Sequence, residues 1–351
     1  MKLIINDRIR QRAVEFFNNF TLDLKYDSIA SSFAFNMRYN ESNQEHRELA
    51  EIGHYHIARI EHNDQVLMTG YILSESFKAT SKDQLLPISG YSLSGVLEDC
   101  NIPPSLYPLQ FDKLSLREIT NKLLSPFAFS FSIDNSVSSR MNKVYDTITA
   151  KPTQTIKQFL CELASERNII LTHDESGNLR FTQVQTNIKP IINFDSEQQG
   201  VPFESMTLKF NGQGMHSHIT VMKQANSSGG NAGEVTITNP YVPYVYRPKV
   251  ILQNSGDDND TNEVARMALS VELKGIVLTI VTDRWEIDGK VIMPNNIITV
   301  KNPKLSMYKK TKWFIESVSL NGDSERTTAT LTCYLPEVYN NQPPKYIFNT
   351  H

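Results

Sequence analysis

Along FTLDLKYDSIASSFAFNMRY, residues 20 to 39, apolar and polar side chains alternate with a period of two. That is the spacing of a strand with one face buried and the other wet. The stretch HIARIEHNDQVLMTGYILSESF, residues 56 to 77, repeats the pattern as a hairpin around Asn63-Asp64 followed by a further strand. A backbone of this kind meets its hydrogen-bonding needs by pairing strands, so residues 1 to 90 are expected to form an antiparallel β unit. The linker NESNQEHRELAEIG between the two stretches reads as a loop or a short helical insertion.

From 91 to 190 the texture changes. Ser115 and Glu118 stand at capping-box spacing, with Leu114 and Ile119 at the staple positions. Leu116, Leu123 and Leu124 complete an apolar face before Ser125-Pro126 ends the helix. FAFSFSI then reads as a strand, and Asn135 to Asn142 as a linker. From Thr153, the residues Ile156, Phe159, Leu160, Leu163 and Ala164 recur at helical spacing until Asn168, a residue tolerant of the left-handed helix end. The following NIILTHDESGNLRFTQ predicts a hairpin with His173 to Asn178 at its tip. His173, Asp174, Glu175 and Asn178 in six positions could form a polar site. The reading favoured by the flanking strands is a turn, with Gly177 at positive φ and its carboxylates solvated. Residues 91 to 190 are thus expected to be a compact α/β domain.

Residues 191 to 351 return to β structure and are expected to form a second barrel. Its strands are SMTLKF, HSHITVM, EVTITNP, GIVLTIV, KWFIESVSLNGD and TTATLTCYL, with a hairpin signal at Ile287-Asp288-Gly289-Lys290. One helix interrupts them: Asp260 caps it, Glu263 takes the capping-box position, Val264, Met267, Ala268 and Val271 face inward, and Gly275 closes it. SSGGNAG, residues 227 to 233, reads as a flexible loop.

A length of 351 residues suits roughly two or three domains. Lys plus Arg number 35 and Asp plus Glu 38, a net charge of -3, which lacks the basic excess of a tight nucleic-acid binder. Cys100, Cys161 and Cys333 are widely separated, so neither a disulfide framework nor a zinc site is indicated. MKLIINDRIRQR breaks its apolar run with charge, and GIVLTIV is far shorter than the roughly 18 residues of a membrane helix, so no export signal or membrane insertion is expected.

Each candidate for chemistry has a plainer explanation. His54 with His56, and His216 with His218, would place two imidazoles on one strand face, the start of a metal site that lacks a third ligand. GDDNDTNE resembles a calcium loop in composition without its glycine and glutamate offsets, and helix capping explains it better. GYSLSG, residues 90 to 95, misses the hydrolase elbow by one position, and NGQG lacks the partner of a phosphate loop. No nucleophile, base and oxyanion site assemble, so no catalytic, cofactor-binding or metal residue and no cofactor is assigned. Tyr241, Tyr244 and Tyr246 are the only dense aromatic group, and Pro240, Pro243 and Pro248 among them read as an extended connector.

The order of segments resembles the Mu-like baseplate hub proteins of contractile-tailed bacteriophages, which are related to the larger myovirus tail hubs. In the first β unit the matches are SSFAFNMRY and VLMTGYILS with Gly70 and Tyr71. SGYSLSGVLEDC places Gly90, Ser92, Leu97, Asp99 and Cys100 on the family's R-S-x-x-x-L-x-D-C type run, with Tyr91 in place of the basic residue. TIKQFLCELASERNIILTHDESGNLRFTQ fits the family's helix and hairpin nearly end to end. The last region supplies YRPKVI, the helix from Thr261, the strand with Trp285, and PNNIITVKNPKLSM, with Met293 where the family has its second tryptophan.

The resemblance implies a β-rich α+β fold with two tail-tube-like antiparallel β-barrels and an intervening α/β domain. It implies a structural, non-enzymatic role: a trimeric pseudo-six-fold ring that joins the tail tube to the central spike and lets DNA pass without specific binding. A ring interface closes only if its rotation closes, and two similar barrels in each of three chains let one ring meet six-fold and three-fold neighbours. Implied partners are two further copies, the spike, the tube or tube initiator, other baseplate and wedge proteins and a tape-measure protein. The implied location is the virion tail baseplate, after synthesis in the bacterial cytoplasm. The competing reading is a carbohydrate-binding or carbohydrate-active β-protein, which needs facing carboxylates or an aromatic platform.

Overall fold

The computed structural model describes residues 1–6, 11–14, 17–78, 84–197, 202–223, 233–253 and 260–348. It is β-rich, with large antiparallel sheets. The chain forms two compact units, each assembled from separated stretches. The first comprises Met1–Gln183, Arg284–Pro294 and Ser317–Ala329, and the second Val184–Asp283, Asn295–Glu316 and Thr330–His351.

In the first unit, antiparallel neighbours run in the order Ser317–Asp323, Phe17–Lys25, Ser32–Tyr39, Gln84–Ser92, Gln65–Glu75, Ile57–His62, Lys2–Asn6 and Gln11–Val14. The alternation read from the sequence becomes alternation of burial. Leu22 and Leu24 are buried on one strand, and Phe33, Phe35 and Met37 on the next. Asn63 and Asp64 both take positive φ, as a two-residue hairpin turn with right-handed strand twist requires. Gly90 is needed where its strand meets the next: a Cβ there would lie 1.8 Å from the carbonyl oxygen of Tyr71. The linker after Tyr39 holds a short helix, Gln44–Leu49, capped by Asn43.

The same unit contains two longer helices. Leu116–Leu124 and Ile156–Glu166 each begin with a complete capping box, from Ser115 with Glu118 and from Thr155 with Gln158. Their apolar faces meet a three-stranded sheet in which Ile170–His173 pairs antiparallel with Leu179–Thr182, itself parallel to Phe131–Ile133. Of FAFSFSI only the last three residues form a strand, because Phe127 lies in the turn after the helix, its amide bonded to Leu124. Phe159 is buried and stacks on Phe111 at 5.6 Å. Asn168 ends the second helix region at φ 52, as expected, and Arg140 donates to the carbonyls of Arg167 and Asn168.

In the second unit, Ile192–Asp195 runs parallel to Asn296–Asn302, which pairs antiparallel with residues of Met307–Asp323 up to Ile315. Ser205–Phe210 pairs antiparallel with Ile276–Thr282. A separate three-stranded sheet has His218–Lys223 between Glu234–Thr238 and Pro248–Gln253. The helix Thr261–Leu273 packs on this sheet. Its expected inward face is corrected: Thr261, Ala265, Leu269, Glu272 and Leu273 are buried, whereas Val271 is 66% exposed and Val264, Met267 and Ala268 are half-buried. The helix is apolar on more than one side, so periodicity alone could not choose the face. Asp260 caps it by accepting from Asn262, and no reciprocal bond from Glu263 completes a box.

Candidate functional site

The histidine pairs lie where their strands begin. His54 and His56 precede Ile57–His62 with their ring centroids 5.6 Å apart, and His216 precedes the strand that opens at His218, so neither pair is aligned by the strand period of two. His56 is buried with its Nε2 3.2 Å from the Glu48 carbonyl, and His54 faces Glu51 at 3.3 Å. His216 bonds Glu272 through its backbone amide and Nδ1, at 2.8 and 2.7 Å, while His218 turns to Ser217 and Tyr246. Among the described residues no group of three or more His, Cys, Asp or Glu could hold a metal ion. All three cysteines are free, and burial pushes the Cys161 thiol up to about 11.

The hairpin tip is a turn, with Gly177 at φ 82 and Glu175 exposed as expected, but it is solvated only in part, since Asp174 is half-buried. Gly177 is buried, and a Cβ there would meet the Leu93 side chain and the Thr69 carbonyl at 2.7 Å. Its own carbonyl accepts from the Ser94 amide at 3.2 Å. Asp174 organises the turn, its Oδ1 accepting the Asn178 amide at 2.9 Å. His173 Nδ1 lies 2.9 Å from the Asp174 carbonyl, the arrangement of a proton on Nδ1, which leaves Nε2 to accept from Ser31 Oγ at 2.7 Å. Burial holds the His173 imidazole below its ordinary pKa.

This serine–histidine contact resembles half of a hydrolytic centre, and its surroundings oppose that use. Ser31, Ser92 and Ser94 are fully buried, and both Ser92 and Ser94 donate to the Ile29 carbonyl. A nucleophile needs an approach for substrate, and these hydroxyls have none. Ser92, the third residue of GYSLSG, is therefore a structural residue, accepting from the Ser31 amide and donating to the Ile29 carbonyl. In NGQG, Arg247 donates to the carbonyls of Gly212 and Gln213 at 2.6 Å each, which braces the loop from the carbonyl side. The first residues of GDDNDTNE and most of SSGGNAG lie outside the described residues. Tyr241 is buried, Tyr244 is exposed and Tyr246 packs on His218, so the three do not share a platform.

Two constellations were not legible in the sequence. Glu272, nearly buried on the helix Thr261–Leu273, receives His216 and the Lys249 ammonium at 3.1 Å, tying helix to sheet. In the first unit, the hairpin Glu286–Val291 places Glu286 against His62, with Trp285 5.0 Å from the His62 ring and stacked on Phe20. His62 and Glu286 are 224 positions apart, and no local pattern links them.

No family model matches the chain. The fold defines the class: over nearly its whole length it is that of phage tail proteins. A 43 kDa tail protein of prophage MuSo2 from Shewanella oneidensis superposes with a TM-score of 0.78 at 17% identity, covering 97% of this chain and 99% of that one. The E. coli c3393 protein is described as a component of the type VI secretion system, structurally similar to T4 tail proteins gp27 and gp5. It gives a TM-score of 0.57 at 12% identity over 98% of this chain and 80% of that chain. In sequence, the baseplate hub protein gp44 of Escherichia phage Mu is 21% identical over 276 residues, 74% of this chain and 70% of that protein. The resemblance to Mu-like baseplate hubs therefore stands: the MuSo2 neighbour is a tail protein and gp44 a baseplate hub protein, structural proteins and not enzymes.

Proposed function

We propose that the chain is the structural baseplate hub of a contractile phage tail. The observation that carries this reading is the whole-length fold match to a Mu-type tail protein, joined to sequence similarity with the Mu hub. In this reading three copies close a pseudo-six-fold ring through two tail-tube-like barrels per chain, residues 1 to 90 and 191 to 351, with the α/β domain of 91 to 190 outside the ring. The ring joins tube to spike at the virion baseplate, after synthesis in the host cytoplasm, and DNA passes through it during ejection. The likeness to the c3393 protein, whose description links it to gp27 and gp5, supports a spike as the three-fold neighbour. A weakly acidic chain fits a passage that does not hold phosphate. No catalytic, cofactor or metal residue is assigned.

Light scattering and negative-stain images of the purified chain test the reading, with and without the spike protein of the same tail. Ring-shaped trimers are expected at high concentration. A chain that stays monomeric even with the spike present would refute the ring.

A further inference from the structure

In the first unit, the strands Gln11–Val14 and Ser32–Tyr39 and the short helix Gln44–Leu49 wall a cleft of about 1080 Å³. Part of the wall is apolar: Val14 and Phe17 are half-buried and Leu49 is buried. The polar part is mostly donors. Arg38 is exposed, and its guanidinium makes no hydrogen bond or ion pair among the described residues. His46 accepts the Asn40 amide on Nδ1 at 3.0 Å, so its ring proton sits on Nε2, and that N–H meets no acceptor among the described residues. Arg12 is held on the same wall, donating to the Glu45 carbonyl at 3.1 Å and ion-paired with Glu48.

The unmet donors define what would fill the cleft. A guanidinium fork matches a carboxylate with two parallel N–H···O bonds, and the imidazole N–H offers a third donor. Two arginines line the cleft against one acidic residue, the exposed Glu45, so the lining favours a negative ligand. Volume and opening then separate a chain from a small anion. Sites for small organic ligands span roughly 300 to 1,000 Å³, so a lone phosphate would leave most of this cleft empty and its apolar wall uncovered. Ala13 and Arg38 are exposed, so the cleft is open to solvent, where it admits a stretch of polypeptide but does not enclose a small molecule.

We propose that this cleft binds a segment of a partner protein in which an Asp or Glu stands beside a large apolar side chain. The carboxylate accepts from Arg38 and His46, and the apolar group packs on Val14, Phe17 and Leu49. The inference goes beyond the hub reading and rests on the cleft alone.

The test uses the full chain and two pools of fluorescently labelled pentapeptides. One pool has Asp or Glu at the centre and Leu, Val or Phe on either side, and the other has Asn or Gln at the centre. The acidic pool should bind saturably, and the amide pool at least about tenfold more weakly. Arg38→Gln, at an exposed position, should leave melting unchanged and bring the acidic pool down to the amide level. Arg38→Lys keeps the charge without the fork and should restore only part of the binding. No binding by the folded chain, equal binding of the two pools, or acidic binding that survives Arg38→Gln would each overturn the site. Displacement of the acidic pool by equal concentrations of inorganic phosphate or hexanoate would make it a small-anion site and overturn the peptide. Self-association of the chain that Arg38→Gln abolishes would make a second copy the occupant and overturn the partner.

Discussion

His173 shows how one half-buried imidazole makes a stability profile. Its imidazole is neutral in the fold, accepting from Ser31, and burial lowers its pKa below the ordinary 6.5. Asp174, Glu175, Arg180 and Asp134 are the charged groups carried by the turn and the neighbouring strands. As pH falls below the unfolded value, the unfolded chain takes up a proton that the folded chain refuses, so stability is full above about 6.5 and declines below it until the folded pKa is reached. The denaturation midpoint should therefore fall between pH 7.5 and pH 5.5, and His173→Leu should flatten that part of the decline. Asp174→Ala belongs to the same turn. For a solvated tip it would cost within roughly 0.5 kcal/mol, but with Asn178 on its carboxylate the expected cost is roughly 1 to 2 kcal/mol, read from the urea midpoint. A midpoint unchanged from wild type would restore the solvated-tip reading.

Among the elements, the helix Ile156–Glu166 was readable to its caps because the information is local. Thr155 and Gln158 are three apart, and Ile156, Phe159, Leu160 and Leu163 fall on one face whatever that face meets. Phe159→Ala should cost about 3 to 5 kcal/mol through lost transfer energy and a cavity, measured by chemical denaturation. The helix Thr261–Leu273 was readable in extent but not in orientation. Leu269→Ala there should cost about 2 to 5 kcal/mol, and Val271→Ser should stay within about 0.5. The reverse ranking would return the helix to the face expected from its sequence. The alignment of the histidine pairs depends on the same kind of information. Whether two residues share a face depends on where the strand begins, and both strands begin after the first histidine of their pair.

At the scale of the whole molecule, the histidines separate an inert surface from a structural joint. His54→Ala should leave assembly and melting unchanged. His216→Ala removes a partner of the nearly buried Glu272 and should cost roughly 1 to 3 kcal/mol. Elemental analysis of the purified chain should find no stoichiometric metal, and an ion that survives chelator would overturn that expectation.

The sequence by itself determined most of the longer strands, the two helices with complete capping boxes and the turns at Asn63-Asp64, Gly177 and Asp288-Gly289, because each depends on residues within one or two turns of chain. It also carried the ordered set of segments shared with Mu-like hubs, although no single motif in it is diagnostic. Only the tertiary structure decided that Arg284–Pro294 and Ser317–Ala329 join the first unit, that His173 reaches Ser31 across 142 positions, and that the C-terminal tail lies on Tyr241. These contacts join residues far apart in the chain. Their formation is decided by burial and by the pairing of desolvated polar groups, quantities that no local run of sequence contains.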